Sequence, residues 1–131
     1  MAARLTKMVL PATLRSMVAM RDTAISQLRR GVLEFCVLAL LRDTERYGFE
    51  LVRALAAADG LVTSEGTLYP LLGRLRREGS VETTWRESPS GPPRRYYRLT
   101  PTGEAALDAF LTEWTRFRAT VETLLETGAP T

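Results

Sequence analysis

The chain has 131 residues, of which 45% are hydrophobic and 25% are charged, and a net charge of +3. This composition is typical of one soluble globular domain, and the mild positive charge permits nucleic acid as a partner without requiring it. The single cysteine, Cys36, excludes a disulfide or a cysteine-based zinc site within one chain. Because histidine is absent, we expect no metal and no cofactor, and the cysteine usage fits a reducing, cytoplasmic setting.

Residues 1–27 form an N-terminal extension with a weak pattern. A basic start before Met8–Leu10 resembles the opening of a signal peptide, but Pro11 and Arg15 interrupt the apolar run, so we expect no leader. The apolar spacing after Pro11 allows either a short amphipathic helix or a flexible arm (Leu14, Met17, Val18, Ile25).

The segment from Leu28 to Leu41 predicts the central core helix. Between Val32 and Leu41 only Glu34 is charged, and a helix that is apolar on nearly every side must be buried. The run is far too short to cross a bilayer, so we expect no membrane partner. Cys36 would then fill the core as a small hydrophobic side chain rather than act as a reactive thiol.

Two shorter helices follow a polar turn at residues 42–46. The first begins at Tyr47-Gly48 and stops at Gly60, with an inner face of Phe49, Leu51, Val52 and Leu55. The second lies between Ser64 and Gly79, with Thr63 or Ser64 as its cap and a helical apolar stripe of Leu68, Leu71, Leu72 and Leu75. Two short helices joined tightly, the second polar on its outer face, predict a helix-turn-helix.

The outer face of the second of these helices carries hydroxyl, phenol and guanidinium groups, which base edges and phosphates accept as hydrogen-bond donors. The side chains are those of Thr67, Tyr69, Arg74, Arg76 and Arg77. Taken alone, this face is equally compatible with a solvated amphipathic helix.

After Gly79 the apolar spacing changes from helical to alternating. It predicts a strand through Val81 and Trp85, a proline-rich tip at residues 88–93, and a returning strand, Arg94–Leu99, with Tyr97 and Leu99 facing inward. A hairpin directly behind a helix-turn-helix is a wing, which lies against a phosphate backbone or a minor groove. Seven arginines and only three glutamates occur from residue 74 to residue 98, so the positive charge is concentrated on this helix and wing.

The sequences GTLYPLLGRL (residues 66–75) and GPPRRYYRLTPTG (residues 91–103) resemble the PadR family of bacterial transcriptional regulators, and YGFEL (residues 47–51) fits too. The resemblance runs from about Leu28 to the end of the chain. It implies a winged helix-turn-helix, a homodimer, and repression by binding to an operator in double-stranded DNA. The DNA-binding residues that it implies are Ser64, Thr67, Tyr69 and Arg74 of the helix, Arg94 and Arg95 of the wing, and Tyr47 at the backbone.

These side chains also have purely structural interpretations, which the sequence leaves open. Tyr69 can pack its ring on the domain with its hydroxyl in water. Arg76 and Arg77 can form ion pairs with Glu78 and Glu82, which would contribute little to stability. Arg95 can stack on Tyr97 or Trp85.

The last segment predicts a long helix over residues 101–126, with Thr100 as its cap, Pro101 at its first position and residues 127–131 as a tail. Its apolar residues form an a/d seam of two seven-residue series: Leu107, Trp114, Val121 and Phe110, Phe117, Leu124. Because a small body cannot easily cover this seam, we expect a dimerisation helix; the alternative is a helix that folds back on its own wing domain. The expected fold is therefore mainly α with a small β-hairpin wing: an extension (1–27), a winged helix-turn-helix domain (28–100) and the C-terminal helix.

The same aromatic residues raise the question of an effector. PadR members with a single short C-terminal helix, as here, include regulators that bind flat, hydrophobic compounds between protomers, and Trp114 resembles their interface tryptophan. The resemblance thus implies a small hydrophobic effector held by Trp114, with Phe110 and Phe117 as neighbours. The alternative is that Trp114 is only a hydrophobic anchor of the dimer.

Two further classes of function fit the sequence less well than a DNA-binding regulator. A winged-helix protein-interaction module would use the same fold without DNA, but the basic third helix and wing argue against it. An enzyme is disfavoured because the sequence has no histidine, no GxxxxGK[ST] phosphate loop and no GxSxG nucleophile motif. We therefore expect no catalytic residues.

Overall fold

The computed structural model describes residues 11–62 and 64–128, so the predictions that concern residues 1–10, Thr63 and the end of the tail lie outside the described residues. Its elements in chain order are α1 (Ala12–Leu40), β1 (Arg46–Tyr47), α2 (Gly48–Ala57), α3 (Glu65–Arg77), β2 (Val81–Ser88), β3 (Gly91–Leu99) and α4 (Pro101–Thr127). This order confirms the predicted fold class, which is mainly helical with a small antiparallel sheet and a long C-terminal helix. Among the described residues, no helix is both long and apolar enough to span a membrane.

The chain divides after Val32 into two compact units. In the first unit, the described residues from Ala12 onward are helical, and Leu14, Met17, Ile25 and Leu28 are exposed. The sequence left open either a short helix or a flexible arm after Pro11 and predicted a core helix from Leu28, whereas α1 is one continuous helix over both. No proline interrupts residues 12–40, and the lone Gly31 costs a helix only about 1 kcal/mol.

The second unit has one hydrophobic core, to which every helix of the unit contributes. From α3 the core takes Leu68, Leu72 and Leu75, as the stripe predicted, with Leu71 partly buried. The other large, fully buried side chains are Val37, Leu38, Leu51, Leu55, Val62, Val81 and Leu107. The prediction that Phe49 faces inward is wrong, since its side chain is 46% exposed. Position 49 lies two residues before buried Leu51, about 200° around the helix, and therefore points away from the core.

The sheet has the strand order β1-β3-β2 and is antiparallel throughout. The wing pairs Val81 with Leu99 at its base and Trp85 with Arg95 further out, and an irregularity between Arg86 and Ser88 leads into the turn. Residues 91–93 continue β3 instead of forming part of the predicted tip. The two-residue strand β1, which pairs Tyr47 with Tyr96, replaces the end of the predicted polar turn.

The junction of α3, the wing and α4 is held by Thr100. Its hydroxyl accepts the Gly103 N–H at 3.0 Å, which confirms the predicted cap, and donates to the Gly79 carbonyl at 2.6 Å. Gly79 itself has a φ of 79°, a left-handed conformation that suits glycine just after a helix. Gly103 is required for a second reason, because a Cβ at this position would collide with the Ser80 carbonyl.

Candidate nucleic-acid interface

The exposed start of α3 presents two hydroxyl groups. Ser64 and Thr67 are both exposed, and their side-chain oxygens lie 3.2 Å apart in a mutual hydrogen bond. Ser64 has the extended backbone of a cap residue, but its side chain makes no capping bond. Both hydroxyls thus stay on the surface, where they can donate to and accept from a ligand.

Arg74, one turn from the end of α3, is held by carboxylates. Its Nη1 lies 3.1 Å from Glu78 Oε1 and 3.5 Å from Glu34 Oε2. The hydrogen bond to Glu78 and the charge of Glu34 raise the pKa of the Arg74 guanidinium above its ordinary value. The sequence predicted an outward-facing Arg74, and the side chain is indeed 44% exposed, but it is an ion-paired cation rather than a free one.

Tyr69 packs against the start of α2. A Cβ placed on Gly48 would lie 2.6 Å from Cε1 and 2.8 Å from Cζ of Tyr69, so glycine is needed for the ring to reach this position. Burial raises the pKa of the Tyr69 phenol, and the neighbouring Glu65 and Tyr97 raise it further. The alternative of a ring packed on the domain therefore describes Tyr69, which still leaves 40% of the side chain exposed as a neutral hydrogen-bonding group.

Tyr47 and Arg94 lie together in the structure. From the sequence, Tyr47 is expected to contact the DNA backbone and Arg94, separately, to belong to the wing. The Arg94 guanidinium carbon is 4.4 Å from the centroid of the Tyr47 ring. Tyr96 meets the same ring edge-on at 5.5 Å, and the Tyr47 N–H donates to Glu50 Oε1 at 3.1 Å. These contacts orient both Tyr47 and Arg94 at the edge of β3.

Arg95 stacks on Trp85, as the sequence allowed. Its guanidinium carbon lies 4.8 Å from the Trp85 ring, the cross-strand neighbour in the wing. The Arg95 Nε is buried and has no hydrogen-bond partner among the described residues. Trp85 is itself 61% exposed, which is unusual for a tryptophan. In the sequence, only the alternation of apolar and polar residues along β2 drew attention to this residue.

The structure brings four of the seven predicted DNA-binding residues to one cavity of about 460 Å³, whose lining includes Tyr47, Tyr69, Arg94 and Arg95. Ser64, Thr67 and Arg74 lie outside this lining. Sequence reasoning missed Gly48, which admits the Tyr69 ring, and gave Trp85 only as a stacking partner. The YG pair at residues 47–48 was the available signal for Gly48.

Carboxylates neutralise the remaining arginines of the wing. Arg86 pairs with Glu45, which comes from the loop before β1, and Arg98 pairs with Glu82 across the hairpin. Arg86 also lies 4.8 Å from the Tyr96 ring. The predicted alternative, in which Arg76 and Arg77 pair with Glu78 and Glu82, is wrong, since these glutamates pair with Arg74 and Arg98 instead.

The predicted effector residues form a row of rings along α4. Phe110 stacks on Phe35 of α1 with centroids 4.0 Å apart and planes within 4°. Trp114 follows at 5.7 Å from Phe110, and Phe117 at 6.4 Å from Trp114. Exposure rises along the row from half-buried Phe110 and Trp114 to Phe117, which is 59% exposed. No pattern in the sequence indicated that Phe35 would join this row.

The dimerisation residues divide into two sets. Leu107 is buried in the core of its own chain, because the first turns of α4 pack against the wing and the core, so it is not available to a second chain. Val121 is half-buried, and Phe117 and Leu124 are exposed. The predicted alternative, in which the helix folds back on its own domain, thus describes only its beginning.

Comparisons with known proteins agree with this fold. Residues 37–109 match the family model of the transcriptional regulator PadR-like family. A PadR family transcriptional regulator from Eggerthella lenta has 35% identity and a TM-score of 0.75, with 86% of this chain and 98% of that chain covered. A PadR-like transcriptional regulator from Bacillus cereus has 39% identity and a TM-score of 0.70, with 76% and 96% covered. A transcriptional regulator of Mycobacterium tuberculosis is 37% identical over 81 residues, which are 62% of this chain and 74% of that protein.

Proposed function

The chain belongs to the PadR-like family of transcriptional regulators, and from this premise we propose that it represses transcription as a homodimer bound to a palindromic operator. Members of this family are regulators rather than enzymes. The observation that carries the proposal is the grouping of Tyr47, Tyr69, Arg94 and Arg95 around one cavity beside α3. Guanidiniums stacked on aromatic rings are pre-oriented for phosphate oxygens. A repressor acts on chromosomal DNA, so the proposal includes a cytoplasmic location.

The start of α3 is the segment that we propose contacts the base edges of the operator. Ser64 and Thr67 are exposed there, and their hydroxyls can exchange their mutual hydrogen bond for base edges in the major groove. Arg74 would exchange its glutamates for a DNA phosphate. Its ion pairs are solvent-exposed and such pairs contribute only about 0–1 kcal/mol, so this exchange costs little.

The exposed part of the α4 seam supports the homodimer. Phe117 and Leu124 form the outer part of the predicted seam, and Leu125, at 81% exposure, widens it. Large apolar side chains in a continuous stripe indicate an interface with another protein surface. The α4 helix of a second copy can pack on this heptad-spaced stripe. The second copy also supplies the second DNA-binding domain that a palindromic operator needs.

We further propose a planar, hydrophobic effector at the dimer interface, next to Trp114. The row of rings from Phe110 to Phe117 offers flat surfaces, and Trp114 remains partly exposed within it. An effector there would change how two α4 helices meet. Because Thr100 ties α4 to the end of α3, such a change would alter the distance between the two α3 helices of the dimer. It would thereby reduce the affinity for DNA by a coupling free energy of about 1–3 kcal/mol.

Replacement of Trp114 by alanine tests the effector site. Hydrophobic dyes should quench the fluorescence of Trp114, and the alanine variant should bind them more weakly. Unchanged dye binding by the variant would eliminate the pocket and leave Trp114 as a dimer anchor.

Selection of bound duplexes from a random DNA pool tests the repressor proposal. We expect an enriched inverted repeat whose half-sites are about 34 Å apart, with binding that weakens steeply as salt increases. Thr67→Ala should relax the preference at one base pair by about 1–3 kcal/mol. The matched control is Thr112→Ala, since the exposed Thr112 hydroxyl donates to the Asp108 carbonyl within α4, on the side of the helix away from Phe117 and Leu124.

Two outcomes would contradict the proposal. Salt-sensitive binding without an enriched motif would indicate an architectural protein. No binding to any duplex would favour the winged-helix protein-interaction module.

A further inference from the structure

A second cleft, between α3 and the wing, contains three arginines that have no carboxylate partner among the described residues. It has a volume of about 410 Å³, and Arg76, Arg77 and Arg95 contribute to its lining. The described ion pairs nearby involve different arginines: Arg74 with Glu34 and Glu78, Arg86 with Glu45, and Arg98 with Glu82. Four arginines of α3 and the wing remain, of which Arg76, Arg77 and Arg95 share this one concave place, whereas Arg94 lies against the Tyr47 ring.

The two walls of the cleft each position an arginine. On α3, the missing side chain of Gly73 leaves room for Arg77, whose Nη1 lies 3.4 Å from the place where a Cβ would be. On the wing, Arg95 is held 4.8 Å from the ring of Trp85, and its buried Nε has no hydrogen-bond partner within the described ranges. Tyr69 and Tyr97 complete the floor between the walls.

We propose that this cleft is a phosphate seat, in which Arg76, Arg77 and Arg95 together bind one phosphate group. Three guanidiniums facing one space repel each other, and a phosphate removes this repulsion while accepting several of their N–H groups. The phosphate belongs either to the DNA backbone or to a free phosphate compound. For the DNA source the inference rests on the proposed function, because a strand running between α3 in the major groove and the wing would pass over the cleft.

The inference adds Arg76 and Arg77 to the DNA-contacting residues, and it gives Trp85 a positioning role through Arg95. It also makes a quantitative prediction. Because the three arginines of one protomer serve a single phosphate, removing all of them should cost one phosphate contact per protomer and not three.

The first test uses the salt dependence of binding to the duplex obtained by selection. Loss of one phosphate contact lowers the slope of log K against log salt by about 0.9. Because the proposed homodimer carries two such clefts, we expect a reduction of about 1.8 for the triple variant Arg76→Ala, Arg77→Ala, Arg95→Ala, and no change for Arg98→Ala. The control, Arg98→Ala, removes a positive charge from β3, the strand that also carries Arg95. Arg98 pairs with Glu82 and does not line the cleft. A reduction of about 5.4, as three separate contacts in each protomer would give, or no reduction, would overturn the shared seat.

The second test does not depend on an operator. The chain has two tryptophans, so Trp114→Phe leaves Trp85 as the only one, beside Arg95. Pyrophosphate should change the fluorescence of Trp85, and the added pair Arg76→Ala, Arg77→Ala should abolish this response. If the wild-type protein binds no duplex, the proposed function fails, whereas a pyrophosphate response that requires both arginines still supports a seat for a free phosphate compound. If neither pyrophosphate nor the duplex affects Trp85, the inference is wrong.

Discussion

Replacement of Gly48 by alanine tests whether the Tyr69 ring is a packed part of the domain. A Cβ on residue 48 would lie 2.6 and 2.8 Å from two ring carbons of Tyr69, well inside van der Waals contact. Gly48 does not have a positive φ, so alanine is compatible with its backbone. Since the obstructing atoms form the far end of a side chain, we expect the ring to move outward while the fold survives.

The cost follows from the surface that the ring would expose. A buried tyrosine covers about 150–250 Å², and Tyr69 already has 40% of its surface exposed. Returning about 80 Å² to water at about 25 cal/mol per Å² loses about 2 kcal/mol. Alanine gains at most about 1 kcal/mol over glycine inside a helix, and Gly48 is only at its first position. We therefore expect a net destabilisation of about 1–2 kcal/mol.

Urea denaturation at one fixed protein concentration measures this loss, because the stability of the proposed dimer would depend on concentration. The control is the same substitution in a Tyr69→Ala background, where no ring obstructs the Cβ. There Gly48→Ala should be neutral or slightly stabilising, and because the gain from alanine cancels between the two backgrounds, the double-mutant cycle should give a coupling energy of about 2 kcal/mol. An equal loss in both backgrounds would refute the steric explanation.

Two further predictions concern Gly103 at the start of α4 and Cys36 of α1. Gly103→Ala should destabilise the protein by about 3 kcal/mol in the same assay, because the Ser80 carbonyl that meets the new Cβ is backbone and cannot rotate away; a loss below about 1 kcal/mol would contradict this. Burial raises the pKa of the Cys36 thiol. The neutral thiol therefore contributes to the stability of the folded state at pH values below the ordinary pKa near 9, and this contribution is lost as the pH rises through the raised pKa. Iodoacetamide at pH 8 should therefore modify Cys36 more slowly in the folded than in the urea-unfolded chain, and Cys36→Ala should lose that part of the alkaline destabilisation; equal alkylation rates would contradict it.

Local patterns predicted the helices and the wing because the physics that they reflect is local. The leucine stripe of α3 is periodic over two turns, and Thr100-Pro101 marks a helix start by its own chemistry. The strand β1 could not be found in this way. Two residues carry no alternation, and Arg46 and Tyr47 become a strand only because β3 provides a free edge about 50 residues later.

The electrostatics of the interface were only partly predictable, because counting charges does not show which of them are neutralised. Seven arginines from residue 74 to residue 98 appear equivalent in the sequence. Folding brings Glu45 to Arg86, 41 residues away, and Glu34 to Arg74. With the pair of Arg98 and Glu82 across the hairpin, three of the seven arginines are paired, and three of the other four line one cleft. The sequence predicts the excess of charge, but only the fold decides its location.

The seam of α4 shows the same limit for apolar residues. Leu107 and Trp114 occupy equivalent positions seven residues apart, yet the first is fully buried in its own core and the second only half-buried. The heptad spacing records which side of the helix is apolar, whereas the distance from the wing determines what covers that side. Beyond Phe110, which still stacks on Phe35, the described part of the chain leaves Phe117 and Leu124 exposed on that side. The proposed dimer contact therefore begins at Trp114, about two helical turns after the seam itself begins at Leu107.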